Sequence, residues 1–280
     1  MMSSIPPTPP VALTIAATDP TGGGGLQGDV ITLASMGCHP LSVVSAVCLR
    51  DTEDVADLLP LSAAMLAKQA RLLLEDVAVR AFKVGVLATP ENIAATAEIL
   101  SDYPGVPVVV ESELGRLPSA ALANDRLMAV HCELLLPLAT VLVVAQAEAQ
   151  RLAMVLAGQD ELPDVPSAIE RLCSSGVGYV LLTGSATPGP QVVNLLYSRE
   201  GVVRTDPWSR LPDRYLGAGN TLSAALTGAL AHEMSIADAV GEAEAFTWQS
   251  LAGAFRPGMG KSLPDRFFWL REGRADDGPA

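Results

Sequence analysis

The sequence predicts an α/β domain built on a mostly parallel sheet with helices on both faces. Three observations carry that expectation. Short, mostly apolar runs (residues 11–17, 41–49, 79–87, 106–111, 140–145 and 177–183) alternate with longer stretches whose apolar residues fall at helical spacing. A strand that is apolar on both sides, without in/out alternation, belongs to a sheet covered on both faces. Two glycine-rich turns, Thr21-Gly22-Gly23-Gly24-Gly25 and Gly217-Ala218-Gly219, each stand directly before a helical stretch. Finally, residues 191–197 and 202–206, joined by Ser198-Arg199-Glu200-Gly201, read as a hairpin that adds an antiparallel edge.

Each element has a local reason. The first strand, 11–17, is bounded by Pro10 and Asp19-Pro20, and the helix after it, 26–36, is closed by Gly37. Strand 41–49 ends at Arg50-Asp51-Thr52. Leucines three and four apart mark a helix over 61–75. Strand 79–87 is followed by Thr89-Pro90-Glu91-Asn92, a helix start with Thr89 as cap and Pro90 in the first position. Strand 106–111, a helix over 120–136, strand 140–145, helices over 148–156 and 167–175, and strand 177–183 follow. After the hairpin come the helix opened by Gly217, another over 236–254, and a short one near 267–270. No linker or repeat interrupts the pattern. One domain is therefore expected over 11–272, with disordered tails at 1–10 and 273–280.

Composition narrows the function. The chain has 280 residues, a net charge of −13 and 49% hydrophobic residues. The acidity argues against nucleic acid or an anionic membrane as partner. No apolar run reaches the ~20 residues of a membrane span, and the start carries no signal-peptide pattern, so the cytoplasm is expected. The four cysteines are widely spaced, as in reduced, buried thiols.

In parallel sheets ligands lie beyond the carboxyl ends of the strands. Asp19, Arg50, Val86, Glu111, Glu148, Thr183 and the Gly217 turn all fall there, so one sheet edge gathers them. A glycine turn that opens a helix leaves N–H groups uncovered and aligned with the positive end of the helix dipole, which suits a phosphate. The plainer alternative is a helix start capped by Asn220 or Thr221.

The run Thr14-Ile15-Ala16-Ala17-Thr18-Asp19-Pro20-Thr21-Gly22-Gly23-Gly24-Gly25-Leu26-Gln27-Gly28-Asp29 resembles the opening of the hydroxymethylpyrimidine and phosphomethylpyrimidine kinases of thiamine biosynthesis. Phe82-Lys83-Val84-Gly85-Val86-Leu87 and Gly217-Ala218-Gly219-Asn220-Thr221-Leu222-Ser223-Ala224-Ala225-Leu226 are similar to two further motifs of that family, in the same order along nearly the whole chain. The resemblance implies a ribokinase-like three-layer sandwich, a small-molecule substrate, ATP and Mg2+, and a homodimer. It implies a catalytic turn at Gly217, Ala218, Gly219 and Asn220. It places Ala17, Asp19, Gly24, Asp29, Arg50, Val86 and Glu113 at the substrate, Thr183, Gly184 and Glu148 at the nucleotide, and Glu111 and Glu148 at the metal.

Several of these positions depart from the family pattern. Asn220 stands where the family has Cys or Asp; an amide can hold a hydroxyl but cannot take its proton. Arg50 stands where a glutamine reads the pyrimidine. Arginine only donates, which favours an acidic or carbonyl-bearing ring, unless it is a surface ion pair with Asp51. Glu113 replaces an apolar wall, the Asn of the family's P-N-x-x-E is absent before Glu148, and Thr183 replaces a phosphate-neutralising lysine. Two readings follow: a kinase of weakened or altered activity, and a kinase-fold pseudoenzyme that binds a pyrimidine-like or phosphorylated metabolite.

Overall fold

The structure, a computed structural model, describes residues 8–114, 125–185 and 189–272. Their nine strands are β1 Val11–Ala17, β2 His39–Arg50, β3 Val55–Pro60, β4 Ala81–Val84, β5 Val108–Ser112, β6 Val141–Ala145, β7 Tyr179–Ser185, β8 Gln191–Ser198 and β9 Gly201–Ser209. They form one sheet in the order β3-β2-β1-β4-β5-β6-β7-β8-β9. The six strands from β2 to β7 in that order pair in parallel, while β3, β8 and β9 are antiparallel additions at the two edges. Because β1 has β2 on one side and β4 on the other, strand order reverses there. Crossovers leave the two strands in opposite directions, and a crevice opens beyond their carboxyl ends.

Alternation along the strands sorts their side chains into two cores. Leu13, Ile15, Phe82, Val84, Val110 and Leu142 face helices Ala63–Asp76, Pro90–Ser101 and Gln146–Leu156, which contribute Leu66, Ile93 and Leu152. Ala12, Ala81, Val109 and Val141 face the other layer, where Leu33, Leu226 and Ala243 come from helices Gly25–Ser35, Ala218–Ala231 and Ile236–Ala252. Each buried Leu or Ile contributes about 1.5–3 kcal/mol, so the two layers together hold the sheet rigid beneath the site. All four cysteines are free and buried. No helix of the described residues is long and apolar enough to cross a membrane.

The structure corrects several boundaries. The strand expected over 79–87 is only Ala81–Val84, because the chain leaves the sheet at Gly85 and runs on as a wall of the crevice. Strand β3 has no counterpart in the sequence expectation; of its six residues only Leu58 is buried, so it carries no apolar pattern, and Pro60 is tolerated because it lies on an edge. The helix expected over 120–136 is α-helical over Asp125–Val130, then widens through His131–Leu135 and tightens at Leu136–Leu138 around Pro137; residues 120–124 lie outside the described residues. The same holds for most of the expected tails, 1–7 and 273–280.

Candidate active site

Two cavities open along the carboxyl edge of the sheet. The first, of about 530 Å3, lies at the β1/β4 reversal, with Ala17, Asp19, Gly24, Arg50, Val86, Gly217 and Asn220 in its lining. The second, of about 550 Å3, lies over β5, β6 and β7, with Glu148, Thr183, Gly184, Ala218 and Gly219 in its lining. Glu111 and Glu113 line both. The start of helix Ala218–Ala231 therefore stands where the two cavities meet.

That helix start is built from glycine. Gly217 is the cap residue, at φ 85°, and no side chain caps the helix. A Cβ at Gly217 would overlap the Gly23 carbonyl oxygen, so only glycine lets the two glycine loops touch. Thr221 N bonds Gly217 O at 2.8 Å, which leaves the amides of Ala218, Gly219 and Asn220 as the orphan donors of the first turn. The expected cap, Asn220 or Thr221, is thus replaced by Gly217: Asn220 sits within the first turn of the helix and its side chain is turned to other work.

Beneath the turn lies a buried polar layer. Thr14 on β1, Lys83 on β4 and Glu111 on β5 point to the same face, because each alternates with residues of the opposite core. Lys83 Nζ bonds Asp29 Oδ1 at 2.6 Å and Glu111 Oε2 at 2.8 Å. Thr14 Oγ1 donates to Asp29 Oδ2 at 2.6 Å, and Ser223 Oγ to Glu111 Oε2 at 2.9 Å. Burial pulls the Lys83 ammonium down, but the two carboxylates outweigh it and hold the group above the usual lysine range. Asn220 Nδ2 donates to Asp29 Oδ1 at 2.7 Å and to Gly25 O at 3.4 Å. Its amide thus braces the helix start against Gly25–Ser35.

Arg266 completes the layer from the far end of the chain. Its guanidinium donates to Gly22 O at 3.1 Å, Gly23 O at 2.7 Å and Thr221 Oγ1 at 3.2 Å, tying the first glycine loop to the Ala218–Ala231 helix. Burial lowers its pKa to about 10 against the pull of Asp29, Asp19 and Glu111, so it stays charged at neutral pH.

Nearly all the expected site residues line one cavity or the other. The exception is Asp29, which is fully buried and engaged by Lys83, Thr14 and Asn220; it lies behind the first cavity and is not among its lining residues. Arg50 is not a surface ion pair with the Asp51 side chain. Its Nε donates to the Asp51 carbonyl at 3.1 Å, and Nη1 lies 3.6 Å from Asp19 Oδ2. The sequence reading missed Lys83, Ser223 and Arg266. Lys83 left a signal, a lone charge in an otherwise apolar strand; Arg266 left none.

A divalent ion fits the donor set only in part through protein. Magnesium is commonly bound by one or two carboxylates together with substrate phosphates and water. Glu111 Oε1 is buried and has no hydrogen-bond partner among the described residues. Glu148, in the first turn of Gln146–Leu156, accepts from Ser112 Oγ at 3.1 Å. These two carboxylates flank the second cavity and suit an ion held mainly by phosphate; no group of three candidate ligands occurs among the described residues.

A sheet of this order, with an uncapped glycine helix start between two cavities, is a mixed α/β architecture of the ribokinase-like fold. Pyridoxal kinase of Bacillus subtilis superposes with a TM-score of 0.81 at 24% identity, covering 94% of this chain and 99% of that one. Phosphomethylpyrimidine kinase of Clostridium difficile superposes with a TM-score of 0.69 at 26% identity, covering 86% and 99%. The family model for phosphomethylpyrimidine kinase matches residues 19–265. The hydroxymethylpyrimidine/phosphomethylpyrimidine kinase of Rhizobium meliloti is 31% identical over 252 residues, 90% of this chain and 94% of the relative. The chain belongs to the phosphomethylpyrimidine kinase family.

Proposed function

We propose that the protein transfers the γ-phosphoryl group of ATP to the hydroxymethyl oxygen of hydroxymethylpyrimidine, and then to the phosphate of the monophosphate, in thiamine biosynthesis. The observation that supports this most is the set of open amides at Ala218, Gly219 and Asn220, at the helix start where the two cavities meet. The substrate oxygen attacks the γ-phosphorus, the bond to the β-phosphate oxygen breaks, ADP leaves, and the hydroxyl proton departs to solvent. The amides face the charge that spreads over the transferring group, and they need no reorganisation because Lys83, Asn220 and Arg266 hold the turn from behind. A loose transition state makes little demand on a base, which suits an amide at position 220. Glu111 and Glu148 would help hold Mg2+ beside the nucleotide phosphates, and the ion would supply neutralisation of the nucleotide charge. The cytoplasm and a homodimer belong to the same reading, the latter checked by light scattering.

Coupled ADP release with hydroxymethylpyrimidine, ATP and Mg2+ tests the activity. Turnover that disappears on chelation of the metal is expected; none above background overturns the reading. The engagement of Asn220 with Asp29 favours one second reading, a protein that binds the pyrimidine without transfer. Calorimetry would then find the pyrimidine bound and ATP weak or absent, and tight Mg2+-dependent ATP binding would dismiss it.

A further inference from the structure

The first cavity is unequal in the hydrogen-bonding groups it offers. Its wall at the end of β1 and β2 is apolar at Ala17, Cys48, Leu58 and Val86, with Asp19 and Arg50 set beside these residues; Glu53, Asp54, Arg214 and Lys261 also line the cavity, and Arg214 and Lys261 are engaged with Glu53. Asp19 is closed to a ligand: Oδ1 accepts from Thr21 N at 2.9 Å and Thr21 Oγ1 at 2.7 Å, and Oδ2 accepts from Gly24 N at 2.9 Å. Arg50 is the opposite case. Its side chain is 13% exposed, held at Nε by the Asp51 carbonyl and at Nη1 by the charge of Asp19, and Nη2 makes no hydrogen bond among the described residues. A planar fork, fixed at one edge and open at the other, presents donors and no acceptor. A ring that turns a carbonyl or carboxylate oxygen toward Arg50 would satisfy it. A ring that turns an amino group there would place donor against donor in a largely desolvated wall, leaving both unpaired.

We propose that Arg50 selects, for the hydroxymethyl ring of this site, a substrate carrying an oxygen acceptor (a ring carbonyl or carboxylate) where the ordinary aminopyrimidine carries an amino group. The inference rests on the kinase reading above and specifies its acceptor: turnover of the aminopyrimidine persists, at lower kcat/KM than that of the oxygen-bearing ring.

The test compares 5-hydroxymethylpyrimidines bearing a carbonyl, a carboxylate or an amino group at ring position 4, by calorimetry and by ADP release. The wild-type protein is expected to bind the carbonyl or the carboxylate ring about tenfold to a hundredfold more tightly than the amino ring, the range of one charge-assisted hydrogen bond; which of the two leads identifies the oxygen source. Arg50→Gln, whose amide both donates and accepts, should bring the rings to within about threefold of one another. Arg50→Lys keeps a cation beside Asp19 and should lose most of the preference with the fork. Equal or tighter binding of the amino ring by the wild-type protein overturns the proposal, as does binding of none of the rings, and neither result needs a variant to fold. An oxygen preference in binding with no ADP release would overturn the kinase reading and leave this one standing. ADP release with the amino ring preferred would do the reverse.

Discussion

Two buried carboxylate sites lie on the same helical layer, and they handle charge in opposite ways. Under the glycine turn, Asp29 and Glu111 flank Lys83 at 2.6 and 2.8 Å. With Asp19 beside Arg50, and Arg266 under the loop, three carboxylates face three cations. Beside the β8–β9 hairpin, Glu244 is also buried, but the guanidinium of Arg204 is engaged by Asp206 at 2.6 and 2.8 Å, and Glu244 accepts the Trp208 indole N–H at 3.1 Å, with the Asn194 and Asp206 side chains also against its carboxyl. Burial pushes its pKa up to about 7. One site sets cations against its carboxylates, so that Lys83 opposes the rise that burial imposes on Asp29; at the other the nearby guanidinium is taken by Asp206, and burial favours the protonated carboxyl. Facing cations and carboxylates leave the open amides of Ala218 to Asn220 as the donor surface turned to an anion.

The largest expected effect breaks the first site. Lys83→Met leaves two carboxylates buried against each other, and loss of one partner of such a cluster costs about 3–5 kcal/mol. Urea unfolding should show that loss, and adding Asp29→Asn should recover part of it; a cost under about 1 kcal/mol would erase the contrast between the sites. The second site is tested by pH. An unfolded glutamate releases its proton near its ordinary value of 4.5, whereas Glu244 keeps its proton to about 7. Between those values the folded state binds the extra proton, so stability falls as pH rises through the window and levels off above it. Glu244→Gln has no proton to lose. It should match the wild-type protein near pH 4 and exceed it by about 3 kcal/mol at pH 8, read from melting temperatures across the range.

A third change separates the glycine turn from the layer beneath it. A Cβ at Gly217 meets the Gly23 carbonyl, and the residue holds φ 85°, so Gly217→Ala must part the two loops. Displacement of the amides by about 1 Å should lower kcat about a hundredfold while the substrate's KM changes little.

The sequence was informative in proportion to how local each cause is. The six parallel strands, both glycine turns and the Thr89-Pro90 helix start were legible because apolar runs, glycine pairs and caps act within a few residues. Strand β3 was not, since an edge strand with one buried residue is made by pairing with β2 and not by its own pattern. Lys83 was half legible: a charge inside an apolar strand announces a buried partner, but the partners, Asp29 and Glu111, lie 54 and 28 residues away. Arg266 was illegible, because its acceptors at Gly22 and Gly23 are 244 and 243 residues distant and nothing around it marks a buried cation. Asn220 was read by its chemistry but not by its orientation, which Asp29 decides.

The smallest expected effect sharpens the comparison at the two cavities themselves. The first sets Arg50, Lys83, Arg214 and Lys261 against Asp19, Glu53, Asp54, Glu111 and Glu113, whereas the second sets Arg151 alone against Glu111, Glu113 and Glu148 among its lining residues. On the kinase reading, the more acidic cavity must take the more highly charged ligand, and phosphate-bound metal and backbone amides must do what a side-chain cation does elsewhere. Thr183 stands at the rim, with its hydroxyl donating weakly to Val144 O at 3.3 Å, so a longer side chain there disturbs little. Thr183→Lys should lower the KM for ATP about tenfold with kcat nearly unchanged, since the new charge meets ground state and transition state alike. The gain should shrink in high salt, because a rim cation is screened. An unchanged KM would mean that metal and amides already saturate the nucleotide's need for positive charge, and the poverty of cations in the second cavity would then be a design that costs nothing.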